Sequence, residues 1–275
     1  MVPDIAPVPG EPVLRLDPGS GGGVSLVLAD LHLGLGASHD RPAGPPEASA
    51  PVLAERVARL ARDAGAGRVV IAGDVKHPIV GTPPALRSVL FDFFSTLLGA
   101  GLGAEVVLGN HDVGLTRHLP REVVVHSSAG VVLDGAGIFH GHSWPSNRVL
   151  RAPFLIVGHL HPGFRLAPSP EDPQGKRRCW VRVEFPPPPK ATRRRRRHAV
   201  VRARELVVLP AFNPLAGTEA LNRERPARGR SFLYGRFLSR GTARAYLLDG
   251  TDLGVLTLPR PVNRARGAPG AARGR

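Results

Sequence analysis

Five short, largely apolar runs in this chain each lead directly into residues that can hold a cation. Val24–Ala29 leads into Asp30-Leu-His32, and Arg68–Ala72 into Gly73-Asp74. Ala104–Leu108 leads into Gly109-Asn110-His111-Asp112, Gly137–Phe139 into His140-Gly-His142, and Phe154–Val157 into Gly158-His159-Leu-His161. Short apolar runs bounded by turn residues read as buried strands. In a sheet covered by helices, the carboxyl ends of the strands face a common crevice where ligands bind. Five separate stretches of sequence thus bring carboxylate, imidazole and amide groups to one place.

The spacing suits metal. Side chains two residues apart at a strand end can point the same way, as in Asp30-x-His32 and His159-x-His161. Glycine before Asp74, Asn110, His142 and His159 permits tight turns and close backbone approach. Aspartate, histidine and asparagine together suit Mn²⁺, Fe or Zn²⁺ and argue against a soft-metal site. A single D-x-H or G-D pair carries little weight. The ordered set, each member following a strand, carries a great deal.

The order of elements indicates an α/β chain. The strands at 24–29, 68–72 and 104–108 alternate with two helices. Pro51–Asp63 has Val52, Leu53, Val57 and Leu60 on one face, and Pro84–Leu98 repeats Leu86, Val89, Leu90, Phe93, Phe94 and Leu97. The second half is richer in strands, at 122–125, 130–133, 137–139, 154–157, 205–209 and 243–248. Residues 1–23 are expected to be loose, 24–259 to form the domain and 260–275 to be a disordered basic tail. Ala167–Arg204, with its prolines at 186–189 and arginines at 193–197, reads as an insertion with a disordered tip joining two hairpin strands.

Finer features sharpen the pattern. Residues 28–34 read LADLHLG, 73–77 GDVKH, 139–145 FHGHSWP and 208–217 VLPAFNPLAG. With the ordered series D-x-H, G-D, G-N-H-D, G-H and G-H-x-H, from Asp30 to His161, the chain resembles the calcineurin-like metallophosphoesterases. Within them it is similar to the archaeal SbcD-related and the bacterial DNA-ligase-associated phosphoesterases. The resemblance implies a β-sandwich flanked by α-helices and a pair of divalent transition-metal ions, Mn²⁺ foremost, with Fe or Zn²⁺ as alternatives. By the same resemblance Asp30, His32 and His161 hold one ion and Asn110, His142 and His159 the other, with Asp74 bridging them. His111 is then the catalytic histidine, and Asp112 orients it. The implied activity is hydrolysis of a phosphoester by a water that the two ions activate.

Substrate is less legible. Net charge is +15 and the sequence pI about 11.5, a field that attracts nucleic acid. Only Lys76, Lys176 and Lys190 are lysines, so the same charge also fits an arginine-rich compositional bias. A nuclease or phosphodiesterase acting on DNA or RNA is the first expectation. A small-molecule phosphatase or phosphodiesterase is the second, and a non-catalytic scaffold the third. Five arginines in a row at Arg193–Arg197 must be exposed; they either meet phosphates or form a solvated loop. His77 reads either as a contact to a substrate phosphate or as a loop residue. His39, His118 and His126 read as surface or core residues, and Asn213 as structural. Cys179 is the single cysteine, which excludes an intramolecular disulfide and a cysteine-based zinc site. With no apolar run near the roughly 20 residues of a membrane span and no signal-peptide pattern, a cytoplasmic enzyme with no membrane partner is expected.

Overall fold

The computed structural model describes residues 3–19, 21–36, 48–168, 175–187, 201–222 and 231–257. Its first sheet contains β1 (Asp4–Pro7), β2 (Leu14–Asp17), β3 (Val24–Leu28), β4 (Ala66–Ile71), β5 (Gly103–Val107) and β6 (Val124–His126), in that spatial order. Strands β3 to β6 run parallel, and the β1–β2 hairpin adds antiparallel to β3. Helices α1 (Ala50–Asp63) and α2 (Pro84–Gly99) supply the crossovers from β3 to β4 and from β4 to β5. Both helices carry proline in the first turn, where its missing N–H costs no bond.

The second sheet holds β7 (Val131–Leu133), β8 (Ala136–Phe139), β9 (Phe154–Val157), β10 (Pro162–Arg165), β11 (Lys176–Glu184), β12 (Glu205–Val208), β13 (Glu219–Ala220), β14 (Thr242–Leu247) and β15 (Asp252–Val255). Strands β8, β9 and β12 are parallel neighbours, in the order β8-β9-β12. The short helices α3 (Asn147–Leu150) and α4 (Phe232–Arg236) cover its outer face.

Alternation along the strands sets the layers. In β3, Leu26 and Leu28 join the cluster under α1 and α2, while Val27 faces the other way. Val27, Ala29, Val70, Ala72 and Val107 meet Ala136, Ile138, Ile156, Trp180 and Val207 between the two sheets. Leu155, Val157, Val181, Val183, Leu206 and Val208 pack outward against α3 and α4. The result is helices, sheet, sheet, helices, the sandwich expected from the resemblance.

Three expectations change. Residues 4–17 are a hairpin and not a loose segment, because Leu14 and Leu16 are buried between the sheets. Residues 176–184 are a nine-residue strand in the second sheet, paired to β12 on one side and β14 on the other, so only part of 167–204 is additional to the sandwich. Val52, assigned to the buried face of α1, is exposed, and Ala54, Ala58 and Ala61 take that face with Leu53, Val57 and Leu60. Arg193–Arg197 and the 260–275 tail lie outside the described residues. No helix among the described residues is long and apolar enough to cross a membrane.

Candidate metal centre

All five motif loops follow parallel strands, three in the first sheet (β3, β4, β5) and two in the second (β8, β9), and they meet at one end of the sandwich. Their backbones are unusual. Asp30, His32, Asp74, His159 and His161 all have positive φ, between 43° and 71°. A non-glycine residue pays roughly 1–2 kcal/mol for that conformation, and such residues gather where function requires a fixed side-chain direction. Hydrogen bonds hold the strained turns. Asp30 N–H donates to the Gly73 carbonyl, His32 N–H to the Asp74 carbonyl and Leu33 N–H to the Val75 carbonyl. The β3 and β4 chains thus stay paired beyond their strands.

The fit is close enough to fix two glycines. A Cβ on Gly109 would lie 2.2 Å from Asp74 Oδ1, and one on Gly73 would lie 2.4 Å from the His140 ring. Gly73 also adopts φ 89°, which glycine takes at no steric cost.

Two groups of side chains flank Asp74. In the first, His161 Nε2 lies 3.3 Å from both Asp30 Oδ1 and His32 Nε2. In the second, His140 Nε2 lies 3.2 Å from Asn110 Oδ1 and 3.3 Å from Asp74 Oδ1, and the His140 and His159 rings are 5.0 Å apart. Asp74 turns Oδ2 toward the first group, 3.8 Å from His32 Nε2, and Oδ1 toward the second. Asp30-His32-His161 and Asp74-His140-His159 are each compact enough to share one ion.

The imidazoles are oriented from behind. Nδ1 of His140 contacts the Ala72 carbonyl at 2.8 Å, and Nδ1 of His161 contacts the Gly217 carbonyl at 2.9 Å. Nδ1 of His111 meets the His77 carbonyl. With the proton on Nδ1, His140 and His161 present the Nε2 lone pair to the centre. Asp30 Oδ1 is buried without a hydrogen-bond partner, a costly state for a carboxylate oxygen unless a cation meets it. The donor set and this orphaned oxygen fit divalent metal.

The charges suit the same purpose. Burial pushes the Asp74 carboxyl up, but His140 and the His111 amide outweigh it and hold the carboxyl well below the usual range. Asp30 is likewise lowered against its burial, by His161 and His140. Burial holds His32 and His159 down to about 4, so both are neutral at pH 7. Burial also pulls on His140, yet Asp74 and Asp30 raise it to about 9, and Asp30 raises His161. Without metal, the proton on His140 therefore offsets part of the charge of the two carboxylates.

This sandwich has a solved counterpart. Nuclease MPE of Pseudomonas putida superposes with a TM-score of 0.54, at 18% identity over 91% of this chain and 100% of that one. The chain has the metallophosphoesterase fold. YfcE, a phosphoesterase from E. coli, matches over 86% of this chain and 99% of that one at 16% identity, but its TM-score of 0.35 is too low to add support. No family model and no curated protein matches the sequence.

Within the metallophosphoesterase fold, Asp30, His32, Asp74, Asn110, His159 and His161 stand together at the strand ends. The compact group with Asp74 and His159 takes His140, the residue immediately after β8 and fully buried against Asp74. The chain turns at Gly141 with φ 114°, and the expected ligand His142 lies beside this group, its ring 5.4 Å from His140 and 6.3 Å from His159. The position of His140 directly after the apolar run was the available signal. Asp112 also differs from expectation. Its oxygens accept the amides of Val75, Lys76 and Gly109 at 2.9, 3.3 and 2.8 Å, which ties the Asp74 loop to the Asn110 loop, and it is the His77 carbonyl that meets the His111 ring.

Three neighbours support this frame. Lys76 is fully buried, and its ammonium donates to the carbonyls of Pro78, Ile79 and Gly81. His77 shares a compact group with His32 and His111. Asn213 is buried; its amide donates to the Leu31 carbonyl at 2.8 Å and steadies the Asp30–His32 turn. His126 lies away from the centre, against Glu105 at 2.6 Å.

Proposed function

We propose that this chain is a dinuclear metal-dependent phosphoester hydrolase, with nucleic acid as its substrate class. Asp30, His32 and His161 would hold one ion, and Asn110, His140 and His159 the other, with Asp74 shared. The observation that carries this reading is Asp74, whose two oxygens face two separate ligand groups. The pair of ions, Mn²⁺ by preference, would supply charge to offset a phosphoryl group and lower the pKa of a water nucleophile.

The remaining work falls to the protein. Asp30 and Asp74 keep their carboxylates ionised against burial, and the carbonyls of Ala72 and Gly217 fix His140 and His161. His111 is partly open to solvent, with Nε2 3.8 Å from Asp74 Oδ2. With both ring nitrogens protonated, it is held through Nδ1 and can donate from Nε2 to a phosphoryl oxygen or to the leaving oxygen. His77, beside it, can meet the same phosphate. Nucleic acid is favoured by the net charge of +15 and by the likeness in fold to a protein named a nuclease. The one cysteine, buried at Cys179, suits a place in the cytoplasm.

Purified protein should hydrolyse single-stranded DNA or a simple phosphodiester with Mn²⁺ and lose that activity in EDTA. Hydrolysis insensitive to EDTA, or none with any divalent ion, would overturn the reading. Turnover confined to small phosphoesters would retain the phosphoesterase and remove nucleic acid.

A further inference from the structure

Tryptophan is scarce in this chain, at two residues, and the two are used in opposite ways. Trp180 is buried between the sheets, 2% exposed, whereas Trp144 leaves 43% of its surface in solvent. An exposed indole gives up hydrophobic burial of the kind that normally draws it inward. Trp144 also sits at a particular place. It is two residues past His142, whose ring lies 5.4 Å from His140 and 6.3 Å from His159. Two residues of chain span at most about 7 Å, so the indole is attached at the edge of the metal centre.

The indole is supported from the protein side. The Phe232 and Phe237 rings lie 5.4 and 5.7 Å from it, inclined by 50° and 44°. Phe237 is fully buried and Phe232 begins α4. The same helix fixes the loop itself, since a Cβ on Gly141 would lie 2.7 Å from Leu233 Cδ1. Neither phenyl ring stacks flat on the indole, so they brace it without occupying it as a stacking partner. A braced, flat, half-open aromatic beside a phosphate centre matches what a nucleobase requires. Every base has a π-face, and stacking on aromatic side chains tolerates any sequence.

We propose that Trp144 is a stacking platform for the nucleobase next to the phosphate held at the Asp74 centre. The inference rests on reading that centre as a phosphoester site. Its ligand is an unpaired base of a nucleic-acid strand, because a base within a duplex offers its face only to its neighbours. The prevailing positive charge of the chain complements such a strand.

The test uses the full-length protein and two probes of equal length, an oligothymidylate and its abasic counterpart. Because Trp180 is buried, a stacking base should quench the fluorescence of Trp144. With the metals in place and both strands carrying a non-hydrolysable backbone, the oligothymidylate should quench and the abasic strand should not. Base-containing DNA should bind about tenfold more tightly than abasic DNA. Trp144→Ala should close most of that gap, and Trp144→Phe should keep part of it. Equal binding of the two strands by the unaltered protein, or an undiminished gap in Trp144→Ala, would overturn the inference. If Trp144→Ala fails to fold, the comparison of strands on the unaltered protein decides alone. Failure to hydrolyse any phosphoester would sink the functional reading instead, and the quenching result would stand apart from it.

Discussion

Asp112 offers the sharpest separation between a catalytic and an architectural role. Its carboxylate is buried and accepts three backbone amides, those of Val75, Lys76 and Gly109. Asp112→Ala would strand these N–H groups out of reach of water. Leaving a buried donor unsatisfied costs about 1–3 kcal/mol; with the Lys76 bond long at 3.3 Å, the total is about 3–6 kcal/mol. For a domain of this size, a melting shift of about 2–4 °C per kcal/mol gives a fall of roughly 6–24 °C. Asp112→Asn keeps one acceptor oxygen but turns an NH₂ toward an N–H donor, so about half that fall is expected. Thermal melting of the metal-free proteins measures both. A shift below about 2 °C in Asp112→Ala, together with abolished turnover, would refute the architectural role. It would return Asp112 to orienting His111.

Other perturbations separate neighbouring residues. His140→Ala should lose at least one equivalent of bound metal by elemental analysis, while His142→Ala retains it; the reverse would restore His142 as the ligand. Metal affinity should rise with pH, because the ion must displace the proton that His140 holds up to about 9. That proton stabilises the metal-free protein. Its contribution is complete below the unfolded value near 6.5 and fades as pH passes about 9. Calorimetry at pH 7.5 in buffers of different ionisation heat should detect proton release on metal binding, and none would contradict the assignment. Replacing Arg193–Arg197 by serine should weaken binding to DNA or RNA and flatten the dependence of log K on log salt, by about 0.7–0.9 for each phosphate the run no longer neutralises. An unchanged slope would remove the run from the binding surface.

The centre was legible because each ligand follows an apolar strand of four to six residues, and strand ends are readable from composition. Val24–Ala29 and Phe154–Val157 were located within one residue of β3 and β9. The choice between His140 and His142 was not legible. Spacing by two implies a common direction only if the chain stays extended, and Gly141 at φ 114° breaks that condition. The role of Asp112 was hidden for a similar reason. Its place next to His111 suggests a partnership with that ring, and nothing local shows that the carboxylate turns to three amides on two loops. The β1–β2 hairpin hid behind prolines and glycines, its period-two signal being only Leu14 and Leu16 around Arg15. Strand β11 was hidden by its surroundings. KRRCWVRVE begins with three cations, and its burial comes from β12 and β14, which lie far along the chain.

Anomalous diffraction from crystals soaked in Mn²⁺ addresses the central claim most directly. Two peaks should appear on either side of the Asp74 carboxylate, one among Asp30, His32 and His161 and the other among Asn110, His140 and His159. A single peak that leaves Asp74 uncoordinated, or an ion held by His142 in place of His140, would contradict the centre described here.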